Sequence, residues 1–148
     1  MSKDYSKMGK KFVKVGAAVS SKHEKLAKAT AAEFGLTVCE MDILMCLFMG
    51  HKPHTVRYVS HQTHYSKGMI SRCVESLNQG GYVTVERDTI DRRAVRISLT
   101  DKAQPAIKSF NEKANVFVNT IYEGLSDHDV AELDRMLTVI YNNTEKLQ

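Results

Sequence analysis

Tryptophan is absent, and proline occurs only twice in 148 residues. So little proline, beside abundant Ala, Lys, Glu and Leu, favours helix. Long apolar runs are missing as well. No window approaches the roughly 18 consecutive apolar residues of a membrane span. The basic N-terminus MSKDYSKMGKKFVKVG is not followed by the apolar run of a secretory signal. A cytoplasmic protein without a membrane partner is expected. Cys39, Cys46 and Cys73 are an odd set without paired spacing, which argues against a disulfide framework. Cys39 and Cys46 stand seven apart on one helix, about 10 Å by helical rise, too far to bridge each other in place. Core packing is the reading for all three, and redox sensing through a pairing across a dimer is its alternative. Catalytic signatures are missing too: there is no G-x-S-x-G, no phosphate-cradling glycine loop, no H-E-x-x-H and no C-x-x-C pair. Neither an enzyme nor a cofactor is expected.

What is present fits one globular domain, with 43% hydrophobic and 26% charged residues. The net charge of +4 permits a nucleic-acid partner without demonstrating one, so the placement of charge matters more than its sum. From residue 4 to about 34, Tyr5, Met8, Phe12, Val15, Val19, Leu26 and Thr30 recur at helical spacing and lay an apolar stripe on one long helix. Lysines fill much of the rest, either as a solvated face or as phosphate contacts. Gly35 is the expected C-cap. Thr37 and Glu40 form a T-x-x-E capping box for TVCEMDILMCLFMG, the most apolar helix and the expected core. Pro53 suits a turn before a short helix from Thr55, with Val56 and Val59 inward. Ser66 then caps KGMISRCVESLNQ, whose Ile70, Cys73, Val74 and Leu77 share a face, and Gly80-Gly81 ends it.

Two short helices with a tight turn describe a helix-turn-helix, although an ordinary helical hairpin with a polar face reads the same way. The start of the second helix can enter a major groove about 12 Å wide. Short serines allow close approach there, and Lys67 and Arg72 can reach bases or phosphates. The segments 82–87 and 94–99 alternate as strands, with Val83, Val85, Val95, Ile97 and Leu99 on the buried side. They complete a winged helix. Arg92 or Arg93 at the wing tip suits a narrow minor groove, with Asp91 holding a neighbouring arginine by a charge-assisted hydrogen bond. A solvated charged loop is the alternative, since Glu86, Asp88 and Asp91 nearly offset the nearby arginines.

The order Leu36-Thr37, helix-turn-helix, Gly80-Gly81-Tyr82, Asp91-Arg92-Arg93, Leu99-Thr100 and Asp101-Lys102-Ala103 resembles the MarR family of bacterial winged-helix transcription regulators over nearly the whole chain. One departure is Ala103-Gln104, where relatives often carry Gly. The resemblance implies a mainly α fold with a small β-hairpin wing: a winged helix-turn-helix head (36–100) and long dimerisation helices (4–35 and 101–148). It implies a homodimer on double-stranded DNA with a pseudo-palindromic operator, usually a repressor and often released by a small-molecule effector. Carried over, Ser66, Lys67, Met69, Ser71 and Arg72 lie in the major-groove helix, and Asp91 and Arg93 match the wing pair. Arg87 and Arg92 complete the DNA-binding candidates. An effector pocket would lie where the dimerising helices meet the head, near Phe12, Val15, Met41 and Met45.

Thr100 is expected to cap the helix that follows, with Pro105 forcing a kink or a late start. Its stripe runs through Ile107, Phe110, Ala114, Phe117 or Val118, Ile121 and Leu125. Ser126 and Asp129 make a second capping box. Val130, Leu133, Leu137, Ile140, Thr144 and Leu147 then recur at near-heptad spacing and ask for a partner, the first helix and a second copy being the economical one and packing within the chain alone the alternative. His51, His54, His61 and His64 crowd together, so a zinc site is a minor alternative without supporting acids or cysteines at ligand spacing. A winged head kept for protein contacts rather than DNA is the other competing reading.

Overall fold

The computed structural model describes residues 5–50, 54–90 and 93–147. His51, Pro53, Asp91 and Arg92, and the expectations attached to them, lie outside the described residues. Along the chain run α1 (Ser6–Glu33), α2 (Val38–Met49), α3 (Val56–Gln62), α4 (Lys67–Gln79), β1 (Val83–Arg87), β2 (Val95–Leu99), a 3-10 turn (Asp101–Ala103), α5 (Gln104–Ile121) and α6 (Asp127–Thr144). The fold is mainly helical with one antiparallel hairpin, as the sequence leads one to expect. The chain divides into two compact units within α5, at residues 114/115.

Local chemistry sets the boundaries in the first unit. Gly35 (φ +66°) follows the end of α1, where Leu36 N donates to Ala31 O and Gly35 N to Ala32 O. That paired pattern needs a left-handed residue, which glycine supplies without a Cβ penalty. Gly81 (φ +76°) repeats it behind α4, with Tyr82 N donating to Leu77 O and Gly81 N to Asn78 O. Thr37 and Glu40 close the expected capping box on α2, and Thr55 and Ser66 cap α3 and α4.

Helix α2 is the hub. Met41, Ile43 and Leu44 are fully buried, and Leu47 nearly so. Val59 from α3, Ile70, Val74 and Leu77 from α4, Val83 and Ile97 from the wing root, and Ile107 and Phe110 from α5 complete one cluster. Each fully buried Leu or Ile contributes about 1.5–3 kcal/mol, which fixes α4 by its inner face and leaves the outer face free.

Two expectations need correction. Val85 is exposed, because only the wing root lies on the core; Val83 and Ile97 are buried there while Val95 and Leu99 are half-buried. Thr100 makes no side-chain cap; its hydroxyl donates to Gly81 O at 2.6 Å and its amide to Tyr82 O. It therefore ties the wing base to the end of α4. Pro105 meets the second of its two expected outcomes, a late start: the 3-10 turn delays α5 and places proline in the first turn, where its missing N–H costs little.

In the second unit, Ser126 and Asp129 form the expected capping box of α6. Hydrogen bonds from the Ser126 hydroxyl and amide hold the Asp129 carboxyl below its ordinary value. No described residue of α6 is buried.

Candidate nucleic-acid interface

Helix α4 separates two faces. Ile70, Val74 and Leu77 are buried, while Ser66, Lys67, Gly68, Met69, Ser71 and Arg72 are exposed. Capping explains the shape of the exposed end. The Ser66 side chain accepts from Met69 N at 3.2 Å, and no acid stands in the first turn. The remaining N-terminal amides and the positive end of the helix dipole are thus open to an anion, with Lys67 beside them. All five residues expected in the groove-reading helix are exposed.

The wing is an antiparallel ladder from Val83↔Leu99 to Arg87↔Val95. Asp88 N donates to Ala94 O at 2.9 Å and closes it. Strand β2 also meets the start of α3, where Ile97 N donates to His54 O and Thr55 bridges Arg96. Arg87 and Arg93 are both exposed.

Among the described residues, the acid that orders the wing is Asp88, which by sequence alone reads as a surface charge. Its Oδ2 accepts from Arg96 Nε at 2.6 Å and its Oδ1 accepts from Ile90 N at 2.8 Å. An aspartate accepting from the amide two residues on is a turn signal, and that spacing could have been read. Ile90 gives no sequence signal of its place; it is 90% exposed at the tip. Asp88→Ala should release both the Arg96 side chain and the Ile90 amide. Arg96 is half-exposed, so the loss of stability should be only about 1 kcal/mol after solvent screening. Hydrogen exchange at the Ile90 amide should accelerate while exchange at Val59 stays unchanged.

Behind the turn between α3 and α4, a cleft of about 490 Å³ is lined by Asp42, Met45, Cys46, Met49, Tyr58 and Tyr65, among others. A second, of about 380 Å³, adjoins Asp42, His64 and Tyr65 from the side of His23 and Glu24. Tyr65 Oη donates to Asp42 Oδ2 at 2.7 Å between them, and His64 stacks on the Tyr65 ring. Burial, then Asp42, push the Tyr65 hydroxyl well above its ordinary value, so it stays a donor. Met41 lines neither cleft; it is core. Among the described residues no group of three or more His, Cys, Asp or Glu could hold a metal.

The model of the family described as "Transcriptional regulator SarA/Rot" matches residues 25–110, more than half of the chain. The chain belongs to the SarA/Rot family. This SarA/Rot chain is a winged-helix transcriptional regulator. Solved structures agree on the fold. A MarR transcriptional regulator from Methanosarcina mazei Go1 superposes with a TM-score of 0.77 at 20% identity, over 94% of this chain and 99% of that one. A MarR/EmrR family regulator from Acinetobacter sp. ADP1 gives 0.75 at 19%, over 98% and 100%. MepR from S. aureus, solved as a complex with DNA, gives 0.75 at 16%, over 89% and 97%. No helix among the described residues is long and apolar enough to cross a membrane.

Proposed function

We propose that this SarA/Rot regulator is a homodimeric, DNA-binding repressor that reads a pseudo-palindromic operator with α4 and the wing. Residues 36–100 form the reading head, and 4–35 with 101–148 form the dimerising part. The observation that carries the reading is the exposed face of α4: a capped but acid-free helix start, two serines, Met69, Lys67 and Arg72, held by a fully packed inner face. The DNA complex of a protein with the same fold supports it. Arg72 reads a base edge, Lys67 holds phosphate, and Arg87 and Arg93, with Asp91 and Arg92, serve the wing. The clefts around Asp42 and Tyr65 are where a small-molecule effector would act on the head.

Selection from a random duplex pool tests the function. An enriched inverted repeat whose affinity falls steeply with salt is expected. Weak, sequence-independent binding at low salt would overturn it in favour of a protein-contact module. Arg72→Ala should then cost about 1–3 kcal/mol and relax specificity at one position per half-site, whereas Lys67→Ala should reduce the salt slope by about 1 for each phosphate it leaves without a cation.

Gly68 offers a sharper check. It lies in the first turn of α4 at an ordinary negative φ, and an added Cβ would meet nothing within 4 Å. Neither backbone conformation nor packing within the chain requires glycine there. Alanine should raise stability by about 0.5–1 kcal/mol. If DNA approaches the backbone at this point, the same substitution should weaken operator binding. A stabilised variant with undiminished affinity would remove Gly68 from the contact surface.

A further inference from the structure

Two thiols from different helices meet inside the head. Cys73 Sγ lies 2.9 Å from Cys39 Sγ, joining α4 to α2 across 34 residues of chain. Cys39 is 3% exposed, and Cys73 is half-buried at the edge between the packed and open faces of α4. Packing alone does not ask for a polar contact this close between residues that could both be aliphatic. Burial first, then Cys73, Asp42 and Glu40, push the Cys39 thiol up to about 12. It is thus protonated at neutral pH and waits for a partner rather than attacking solvent species. Cys46, on α2 as well, is a separate thiol with burial alone raising it.

We propose that Cys39 and Cys73 form a dithiol modification site that hydrogen peroxide converts into an intrachain disulfide. The more accessible Cys73 sulfur attacks one peroxide oxygen. The O–O bond breaks, water leaves, and Cys73 becomes a sulfenic acid. The Cys39 sulfur then displaces that hydroxyl: the S–S bond forms, the S–O bond breaks, and the departing hydroxide carries off the Cys39 proton as water. The two thiols lose two electrons and two protons, and one peroxide becomes two waters. The S–S bond is about 2.05 Å long, so closure draws the flank of α4 toward α2 by somewhat under ~1 Å. Arg72 and Val74 are the neighbours of the sulfur that moves. Displacing the reading face should weaken operator binding, and this second consequence rests on the DNA-reading function proposed above.

The experiment uses the full, reduced chain treated with hydrogen peroxide and digested under non-reducing conditions. The expected result is a mass loss of about 2 Da and a linked peptide pair containing Cys39 and Cys73. Both should be absent from Cys39→Ser and Cys73→Ser, with Cys73→Ala as a second variant and circular dichroism confirming that each folds. Operator affinity should fall roughly tenfold, the value of one bidentate base contact, and return with a thiol reductant. Sulfinic acid at Cys73 without a linked peptide, a link through Cys46, or a link between chains overturns the site. A linked peptide with unchanged affinity overturns the displacement of α4. Reduced protein that binds no duplex faults the DNA-reading function instead, and the peptide map still decides the site.

Discussion

Leu137→Glu with Ile140→Glu should abolish tight operator binding while leaving each head folded. These side chains are 40% and 41% exposed on α6. Val130, Leu133, Leu137 and Ile140 repeat at steps of three and four and are not buried by the chain itself. Helix α1 leaves Met8, Phe12 and Val15 exposed in the same way, as is Tyr5 just before it. Apolar faces of this length on two helices fit a second copy better than solvent. Two heads on one duplex gain affinity because the second head binds intramolecularly, a gain of roughly 10²- to 10⁴-fold. In the homodimer proposed above, carboxylates on α6 would remove that gain by making the protein monomeric. Sedimentation and titration of the selected operator read the two consequences separately. A double variant that remains dimeric, or a monomer that binds as tightly as the parent, would refute the arrangement.

The largest effect on stability belongs to α2. Leu44→Ala should cost about 3 kcal/mol, within the range for fully buried leucines. Leu44 is 0% exposed and belongs to a cluster drawn from all the elements of the head. The cavity has little room to collapse because Met41, Ile43 and Leu47 are themselves pinned by other elements. Denaturant titration should show a lower midpoint with an unchanged slope. A cost under about 1 kcal/mol would mean that α2 is less central than its burial implies.

Much of this architecture is legible in the sequence because its causes are local. Thr37 with Glu40, Ser66, and Ser126 with Asp129 cap helices through atoms three residues apart. Gly35 and Gly81 stop helices through their own φ. The exposed face of α4 follows from the spacing of Ile70, Val74 and Leu77. What escapes is set by distance or by partial cover. Alternation points Val85 inward, but a two-stranded wing has nothing to bury it beyond the root. A capping pattern suggests Thr100, yet its hydroxyl finds the carbonyl of Gly81, nineteen residues back. Asp88 gains its role from Arg96 on the opposite strand. The meeting of Cys39 with Cys73 depends on how α4 crosses α2, which no single-helix pattern encodes.

The way the wing closes also says where this chain tolerates change. Pairing between β1 and β2 ends at Arg87↔Val95, and the Asp88–Ala94 hydrogen bond seals it. The register is therefore decided at the root, by Val83 and Ile97 in the core and by the tie from Thr100 to Gly81. Residues inserted after Thr89 would lengthen the loop for a closure cost that grows only as the logarithm of its length, without shifting a strand pair. The wing is thus a graft point: its length can be redesigned, or can drift among descendants of this chain, while the helix beside it keeps its place on the core.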